Sequence, residues 1–235
     1  MSQSRTLSPL AAEAGASAID ALTQLANLEL TPDAYGQAMR EVGFALGRCF
    51  ARYNVVAGQS VYLAVTVEDA DFLASGIAKA LEQAGAKTSV ACFWNVRRKA
   101  GGYKWLDVAT IVDEYREPIP ADLTHLIVVK SIISGACVVK TNLMHLLEDA
   151  DPEQIHIMAP VVLKGAEERL ASEFDADLAS RFRYWLLATD DTKDEHGNVL
   201  PGIGGEIYGR LGFDGQRGKN AHYPAFIKER VLALS

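Results

Sequence analysis

Residues Thr124 to Leu147 read THLIVVKSIISGACVVKTNLMHLL, and the fold class follows from them. The segment opens on a continuous apolar run, Leu126-Ile127-Val128-Val129, which is what a parallel strand covered on both faces requires. The small residues Ser134-Gly135-Ala136-Cys137 come next. Apolar side chains then return at Val138, Val139, Leu143, Leu146 and Leu147 with roughly helical spacing. The pattern is strand, small-residue loop, helix. In open α/β sheets a loop of this kind lies at the carboxyl end of a strand and the N-terminus of a helix, where amides and the helix dipole converge on phosphate groups. A plain tight turn between packed elements fits the same letters, and the segment alone favours that plainer reading.

Upstream, Ser60 to Val67 (SVYLAVTV) reads as a β-branched strand, Phe72 to Ala84 as a helix stopped by Gly85, and Thr88 to Trp94 (TSVACFW) as the next strand. A right-handed crossover makes these two strands parallel neighbours or near neighbours. The join, Val67-Glu68-Asp69-Ala70-Asp71, carries three carboxylates. They suit Mg²⁺ or a ribose, or simply complement the dipole of the helix that follows, which is the commoner use. Their charge argues against an anion at this point. Between Asn95 and Pro120 the pattern loosens into a polar, glycine-containing excursion, either a surface hairpin or a flap over a site. Its Arg97, Arg98 and Lys104 either meet a phosphate or form a solvated charge run.

Downstream, Gln154 to Leu163 reads as a buried strand, Lys164 to Phe174 as a helix and Tyr184 to Thr189 as a short strand. A polar loop containing His196 leads into Pro201-Gly202-Ile203-Gly204-Gly205, whose backbone a flat ligand can approach closely. A hairpin turning at Gly197-Asn198 is the alternative. His125, His145 and His156 sit singly in strand or helix patterns and read as structural. Towards the N-terminus, Thr31-Pro32-Asp33 starts a long helix to about Tyr53, with Thr31 as N-cap and Pro32 at the first helical position. Its Met39, Val42, Phe44, Leu46 and Phe50 serve core packing or a dimer contact. Residues 1 to about 15 read as a mobile lead before a short helix. The chain therefore divides into an N-terminal extension, residues 1–30, and a single domain, residues 31–235.

Composition narrows the function. Hydrophobic residues at 49% and charged residues at 23% are ordinary for a globular chain, which argues against disorder. A formal charge of −7 argues against nucleic acid as the main partner, because phosphate neutralisation needs a basic face. Cys49, Cys92 and Cys137 are odd in number and widely separated, as reduced cytoplasmic thiols are, and give no metal pattern. No stretch has the roughly 18 apolar residues of a membrane span. A cytoplasmic, membrane-free protein is the expectation.

Taken together, the strand-loop-helix at 124–147, the flap before it and EHGNVLPGIG at 195–204 resemble the uracil phosphoribosyltransferases. Members of that family carry E-H-G-x-(I/V)-(I/V)-P-G-L-G after the phosphoribosyl pyrophosphate loop, so Glu195, His196, Gly197, Pro201, Gly202 and Gly204 match directly. The order of elements fits from about Thr31 to Gly212. The resemblance implies a type I phosphoribosyltransferase-like α/β fold, a parallel sheet flanked by helices with a small hood and flap. It implies a ligand whose 5′-phosphate meets Ser134, Gly135, Ala136 and Cys137, and a pyrimidine-like base recognised by the main chain of Leu200, Pro201, Gly202, Ile203 and Gly204. It also implies Mg²⁺ if the protein is active, and a homodimer.

The chain departs from the family where the chemistry lies. The family's acidic positions before its T-G-G loop fall here on Val129 and Lys130, and the arginine of its P-x-x-R-A-G loop falls on Glu68. The aspartate after G-L-G is Gly205. Charges at positions 68 and 130 are thus exchanged, which is compatible with another substrate. The resulting expectation is a divergent phosphoribosyltransferase-like protein that binds a phosphoribosyl or nucleotide ligand, with Arg97, Arg98 or Lys104 on a diphosphate. The alternative is a non-catalytic, nucleotide-sensing or partner-binding member with a degenerate active site.

Overall fold

The computed structural model describes residues 5–54, 56–99 and 107–234. Its main sheet contains β1 (Arg5–Leu7), β2 (Ser60–Thr66), β3 (Lys87–Lys99), β4 (Asp107–Arg116), β5 (Leu123–Val129), β6 (Ile132–Ile133), β7 (Ile155–Leu163) and β8 (Phe182–Asp190). The spatial order is β1-β8-β7-β5-β2-β3-β4, with β6 pairing further along β7. Strands from β8 to β3 are parallel, and the two edge strands, β1 and β4, are antiparallel to their neighbours. A separate hairpin joins β9 (Thr192–Lys193) to β10 (Val199–Leu200).

Three helices precede β2: α1 (Pro9–Ala14), α2 (Ala16–Leu25) and α3 (Pro32–Tyr53). Between β2 and β3 come α4 (Val67–Asp69), a π-helical turn (Ala70–Ala74) and α5 (Ser75–Gln83). The remaining helices are α6 (Cys137–Leu146), α7 (Ala166–Ala171), α8 (Ala176–Ser180), α9 (Ile207–Arg210), α10 (Gly215–Ala221) and α11 (Ala225–Leu234). Among the described residues no helix is long and apolar enough to cross a membrane.

The apolar runs of β2 and β5 feed two cores, one on each face. Val61, Leu63, Val65, Ile127 and Val129 pack with α2, α3 and α5, whereas Tyr62, Ala64, Leu126 and Val128 pack with α6 and α7. Burial on both faces is why these strands do not alternate with polar residues. Helix α3 starts as its letters imply, with the Thr31 hydroxyl accepting from Ala34 N at 3.3 Å. Its Met39, Val42, Leu46 and Phe50 are all buried in the core, with Phe44 half-buried. Glycines let α3 touch the π-helical turn and α5 backbone to backbone: a Cβ on Gly43 would stand 2.2 Å from Leu73 O, and one on Gly76 2.3 Å from Arg40 O.

Several sequence expectations change. The lead from Arg5 is ordered: β1 closes one edge of the sheet, and Ser8 caps α1, whose Ala11 and Ala14 enter the core. A three-residue strand is too short to show a period. The helix expected from Phe72 begins in π geometry and becomes α-helical only at Ser75. Strand β3 continues past Trp94 to Lys99 through a register shift at Trp94/Asn95 and pairs antiparallel with β4, so the described parts of the excursion after Asn95 are paired strands.

Chain direction places the crevice. From β2 the chain crosses to β3 by way of α5 on one face, and from β5 it crosses to β7 by way of α6 on the other. The adjacent strands β2 and β5 therefore send their connections opposite ways. Ligands in open α/β sheets bind outside the carboxyl ends of the strands at such a switch point.

Candidate functional site

A cavity of about 290 Å³ lies at that point. Glu68 comes from α4, directly after β2, and Lys130, Ser131, Ile132 and Ser134 come from the segment after β5. Arg97 enters from β3, and a hood formed by the β9–β10 hairpin and α9 adds His196 to Val199, Ile203 and Gly205 to Tyr208.

The floor is an ion cluster. Lys130 Nζ lies 2.5 Å from Asp69 Oδ2 and 3.1 Å from Glu68 Oε1, with the Thr66 and Ser131 hydroxyls each at 3.4 Å. Asp69 Oδ2 also accepts from the Thr66 hydroxyl at 2.7 Å, and Oδ1 accepts from Ser131 N at 3.2 Å. A second ammonium arrives from α10: Lys219, 1% exposed, donates to Asn95 O at 2.5 Å and lies over the Tyr208 ring at 5.4 Å. It stands 3.9 Å from Glu68 Oε2, an ion-pair distance beyond hydrogen-bonding reach. Two carboxylates thus face two ammoniums.

Burial alone would discharge these groups; pairing opposes it. Burial pushes the Lys130 ammonium down, but Asp69 and Glu68 outweigh it and hold the pKa above the usual lysine value. Burial likewise pushes Glu68 up, and Lys130 and Lys219 pull it below the ordinary carboxylate range. Lys219 is lowered by burial, with Glu68 the main opposing influence. Tyr208 is pushed up to about 12, by burial first and then by Glu68. Glu68 Oε2 is buried with no hydrogen-bond partner among the described residues.

The hood is held from behind. Arg5 donates to both carboxylate oxygens of Asp190, at 2.9 and 2.7 Å, and to Gly202 O at 2.5 Å, while Gly202 N donates to Asp190 Oδ2 at 2.8 Å. The Tyr35 hydroxyl donates to Ile203 O at 3.0 Å, under the guanidinium of Arg210 at 4.6 Å. At Gly202 φ is +57° and a Cβ would stand 2.1 Å from Val199 O, so only glycine fits. In the hairpin turn, Asp194 Oδ1 accepts from the amides of His196 and Asn198 at 2.9 and 2.8 Å.

Of the residues singled out from sequence, Glu68, Arg97, Lys130, Ser134, His196, Gly197, Asn198, Ile203 and Gly205 line this one cavity. Val129 is buried in the core. Gly135, Ala136 and Cys137 form the entry to α6 and do not line the cavity. Leu200, Pro201, Gly202 and Gly204 form the backing of the hood, with the N–H and C=O of Gly202 engaged by Asp190 and Arg5. Arg98 donates to the Thr110 hydroxyl at 3.2 Å, and Lys104 lies outside the described residues. The carboxylates at 68, 69 and 71 do more than complement a dipole: the first two pair with Lys130, and Asp71 pairs with His222 at 2.7 Å. His145 pairs with Glu114 at 2.8 Å.

Sequence reasoning passed over Asp69 as a lysine partner, and over Tyr208 and Lys219. The acidic pair at 68–69 was a usable signal. Lys219, in the polar segment GQRGKNA, gave none, because lysine is seldom fully buried. Among the described residues no group of three or more His, Cys, Asp or Glu is arranged to hold a metal ion.

No protein-family model and no curated protein sequence matches the chain. Solved structures do. The AQ2163 protein from Aquifex aeolicus superposes with a TM-score of 0.63 at 13% identity, over 83% of this chain and 93% of that one. A hypothetical protein from Neisseria gonorrhoeae with bound ppGpp gives 0.43 at 14% identity, over 65% and 78% of the two chains. The hypoxanthine-guanine phosphoribosyl transferase of L. donovani gives 0.41 at 12%, over 70% and 82%. At 13% identity the likeness to the Aquifex aeolicus protein is one of fold, over nearly the whole length of that protein.

Proposed function

We propose that the chain is a phosphoribosyltransferase-like protein that holds a phosphoribosyl or nucleotide ligand in the switch-point cavity. One observation carries this reading: Ser134, from the loop that enters α6, and the hairpin segment His196 to Val199 with Ile203 form facing parts of one cavity. The Ser134 hydroxyl, on the cavity side of the loop that enters the ten-residue α6, suits a 5′-phosphate. The hood gives a flat, pyrimidine-like base a backbone surface, and Arg97 supplies a counter-charge. In the transferase form, a ring nitrogen of the base bonds to C1 of phosphoribosyl pyrophosphate as the bond from C1 to the diphosphate oxygen breaks. The products are a nucleoside monophosphate and pyrophosphate.

The ion cluster favours a second form, binding without transfer in a nucleotide-sensing or partner-binding protein. Positive charge developing at C1 would meet the Lys130 ammonium in place of a free carboxylate, so the electrostatic stabilisation that such a step needs is missing. Mg²⁺ does not fit either, because that ammonium already stands between Glu68 and Asp69. A homodimer belongs to the same proposal and is checked by sedimentation. For the ligand, melting curves with uridine 5′-monophosphate and ribose 5-phosphate are the test, since binding to the native state raises the transition. Release of pyrophosphate with Mg²⁺ and a panel of bases would establish the transferase form. No shift with any nucleotide or phosphoribosyl compound sinks both.

A further inference from the structure

Strand β8 has nine residues, and β1 pairs with the last three, Ala188 to Asp190. Among the described residues no strand pairs along the outer side of Phe182 to Leu186. A groove of about 610 Å³, separate from the switch-point cavity, runs there between Tyr53 at the end of α3, Ser8 at the start of α1, and Arg183, Tyr184 and Trp185 of the strand. The ladder fixes which peptide groups face it. Ile155 N donates to Arg181 O at 3.0 Å, and because alternate residues turn to a neighbouring strand, the peptide groups of Phe182, Tyr184 and Leu186 turn outward. At both ends of this stretch side chains stand in for a missing strand: Arg183 donates to Phe182 O at 2.8 Å, and Ser8 Oγ to Leu186 O at 2.5 Å. Tyr184 lies midway between them. An open row of this kind is a template for a further strand.

The stretch Phe182-Arg183-Tyr184-Trp185-Leu186 is complementary to itself about Tyr184. In an antiparallel pair related by a two-fold axis, the residue on the axis meets its own copy, and residues equidistant from it meet on the same face. With the axis at Tyr184, an outward-facing residue, the two copies of Tyr184 exchange N–H···O bonds, Phe182 meets Leu186, and Arg183 meets Trp185. Trp185 lies on the α3 face, its ring 5.0 Å from Phe50, and the exposed Arg183 shares that face. Guanidinium over indole is a favourable cation–π pair, and the symmetry supplies it twice. Phe182, Tyr184 and Leu186 share the other, apolar face. A shift of register towards the carboxyl end is blocked, because Ala188 is already paired with Leu7. We propose that the open edge of β8 is a homodimer interface, in which a second copy of the chain adds its own β8 antiparallel about Tyr184. This rests on the homodimer included in the proposed function, and ligand binding plays no part in it.

Sedimentation equilibrium of the full chain and of Arg183→Glu over a concentration series tests it. The native chain is expected to dimerise, and the variant to do so about tenfold or more weakly, the worth of two cation–π contacts. Arg183 is exposed, so the fold tolerates the change. The register has a test of its own. Tyr184→Cys, oxidised with copper phenanthroline, is expected to give a disulfide-linked dimer, because hydrogen-bonded antiparallel partners stand about 5.5 Å apart at Cα, within disulfide reach. Val112→Cys, exposed on β4 at the other edge of the sheet, is the control. A native dimer that Arg183→Glu leaves unchanged overturns this interface and leaves a homodimer through another surface, and so does cross-linking no greater at position 184 than at position 112. A native chain that stays monomeric at every concentration removes the homodimer and this interface together.

Discussion

Lys130 and Glu68, the two positions at which the chain reverses the charges expected from its sequence resemblance, are in direct contact, Nζ to Oε1, at 3.1 Å. Each charge therefore bears directly on the stability of the other. Lys130→Met leaves Glu68 and Asp69 facing each other in a buried site, and is expected to cost roughly 3–5 kcal/mol. Adding Glu68→Gln should return part of that loss, since it removes one of the stranded charges. Urea unfolding of the single and double variants measures the coupling, and strictly additive losses would contradict it.

At the opposite end of the sheet a directional chain of hydrogen bonds runs Trp185, His156, His125, Gln59. The indole N–H only donates, so His156 Nδ1 accepts at 3.2 Å, Nε2–H donates to His125 Nδ1 at 3.2 Å, and His125 Nε2–H donates to Gln59 Oε1 at 3.0 Å. Both rings are neutral in this arrangement. Burial, then His125 and Arg183, push the His156 pKa from 6.5 down to about 4. The unfolded chain takes up the proton first, so the stabilisation is fully present above pH 6.5 and is lost as pH falls towards about 4. Its full size is roughly 3 kcal/mol. His156→Gln, which keeps an acceptor and a donor, should flatten the fall in urea midpoint across that interval.

The hood predicts a glycine effect. Gly202→Ala puts a methyl group 2.1 Å from Val199 O at a φ of +57°. The hairpin must move, with a loss of about 1–3 kcal/mol and weaker ligand binding. Gly58→Ala, away from the cavity, makes the control: φ is also positive, at +77°, but nothing lies within 4 Å of the new atom. A comparable loss of ligand affinity in both would mean that the Val199 contact is irrelevant.

Asp190→Ala tests the clamp behind the hood. Asp190 is fully buried, and its removal strands the Arg5 guanidinium and the Gly202 amide together. The expected loss is roughly 3–5 kcal/mol, read by thermal or urea unfolding. Arg5→Ala, which leaves the buried carboxylate unpaired, should be nearly as severe. A silent Arg5→Ala would show that β1 is dispensable to the hood.

These sites differ in how far their letters revealed them. Strands β2 and β5 were legible because burial on both faces writes an unbroken apolar run, and Thr31-Pro32-Asp33 because capping is local. The β9–β10 hairpin was legible from Gly197-Asn198. Arg5 and Lys219 were not, since each acts through a partner distant in sequence and has no periodicity of its own. The same holds for Asp190, which sits at the end of a strand and gains its role only when Arg5 and Gly202 close on it.

The four-charge floor also orders how the protein is made. A chain emerging from its N-terminus presents Glu68 and Asp69 to water well before Lys130 appears, and longer still before Lys219 in α10. Until then those carboxylates keep their hydration, because dehydrating them without a counter-ion is prohibitive. Strands β2 and β3 can pair in the meantime, but the switch point stays wet. The charged floor is thus complete only when both lysines are present, and a chain ending before α10 would lack the Lys219 ammonium beside Glu68.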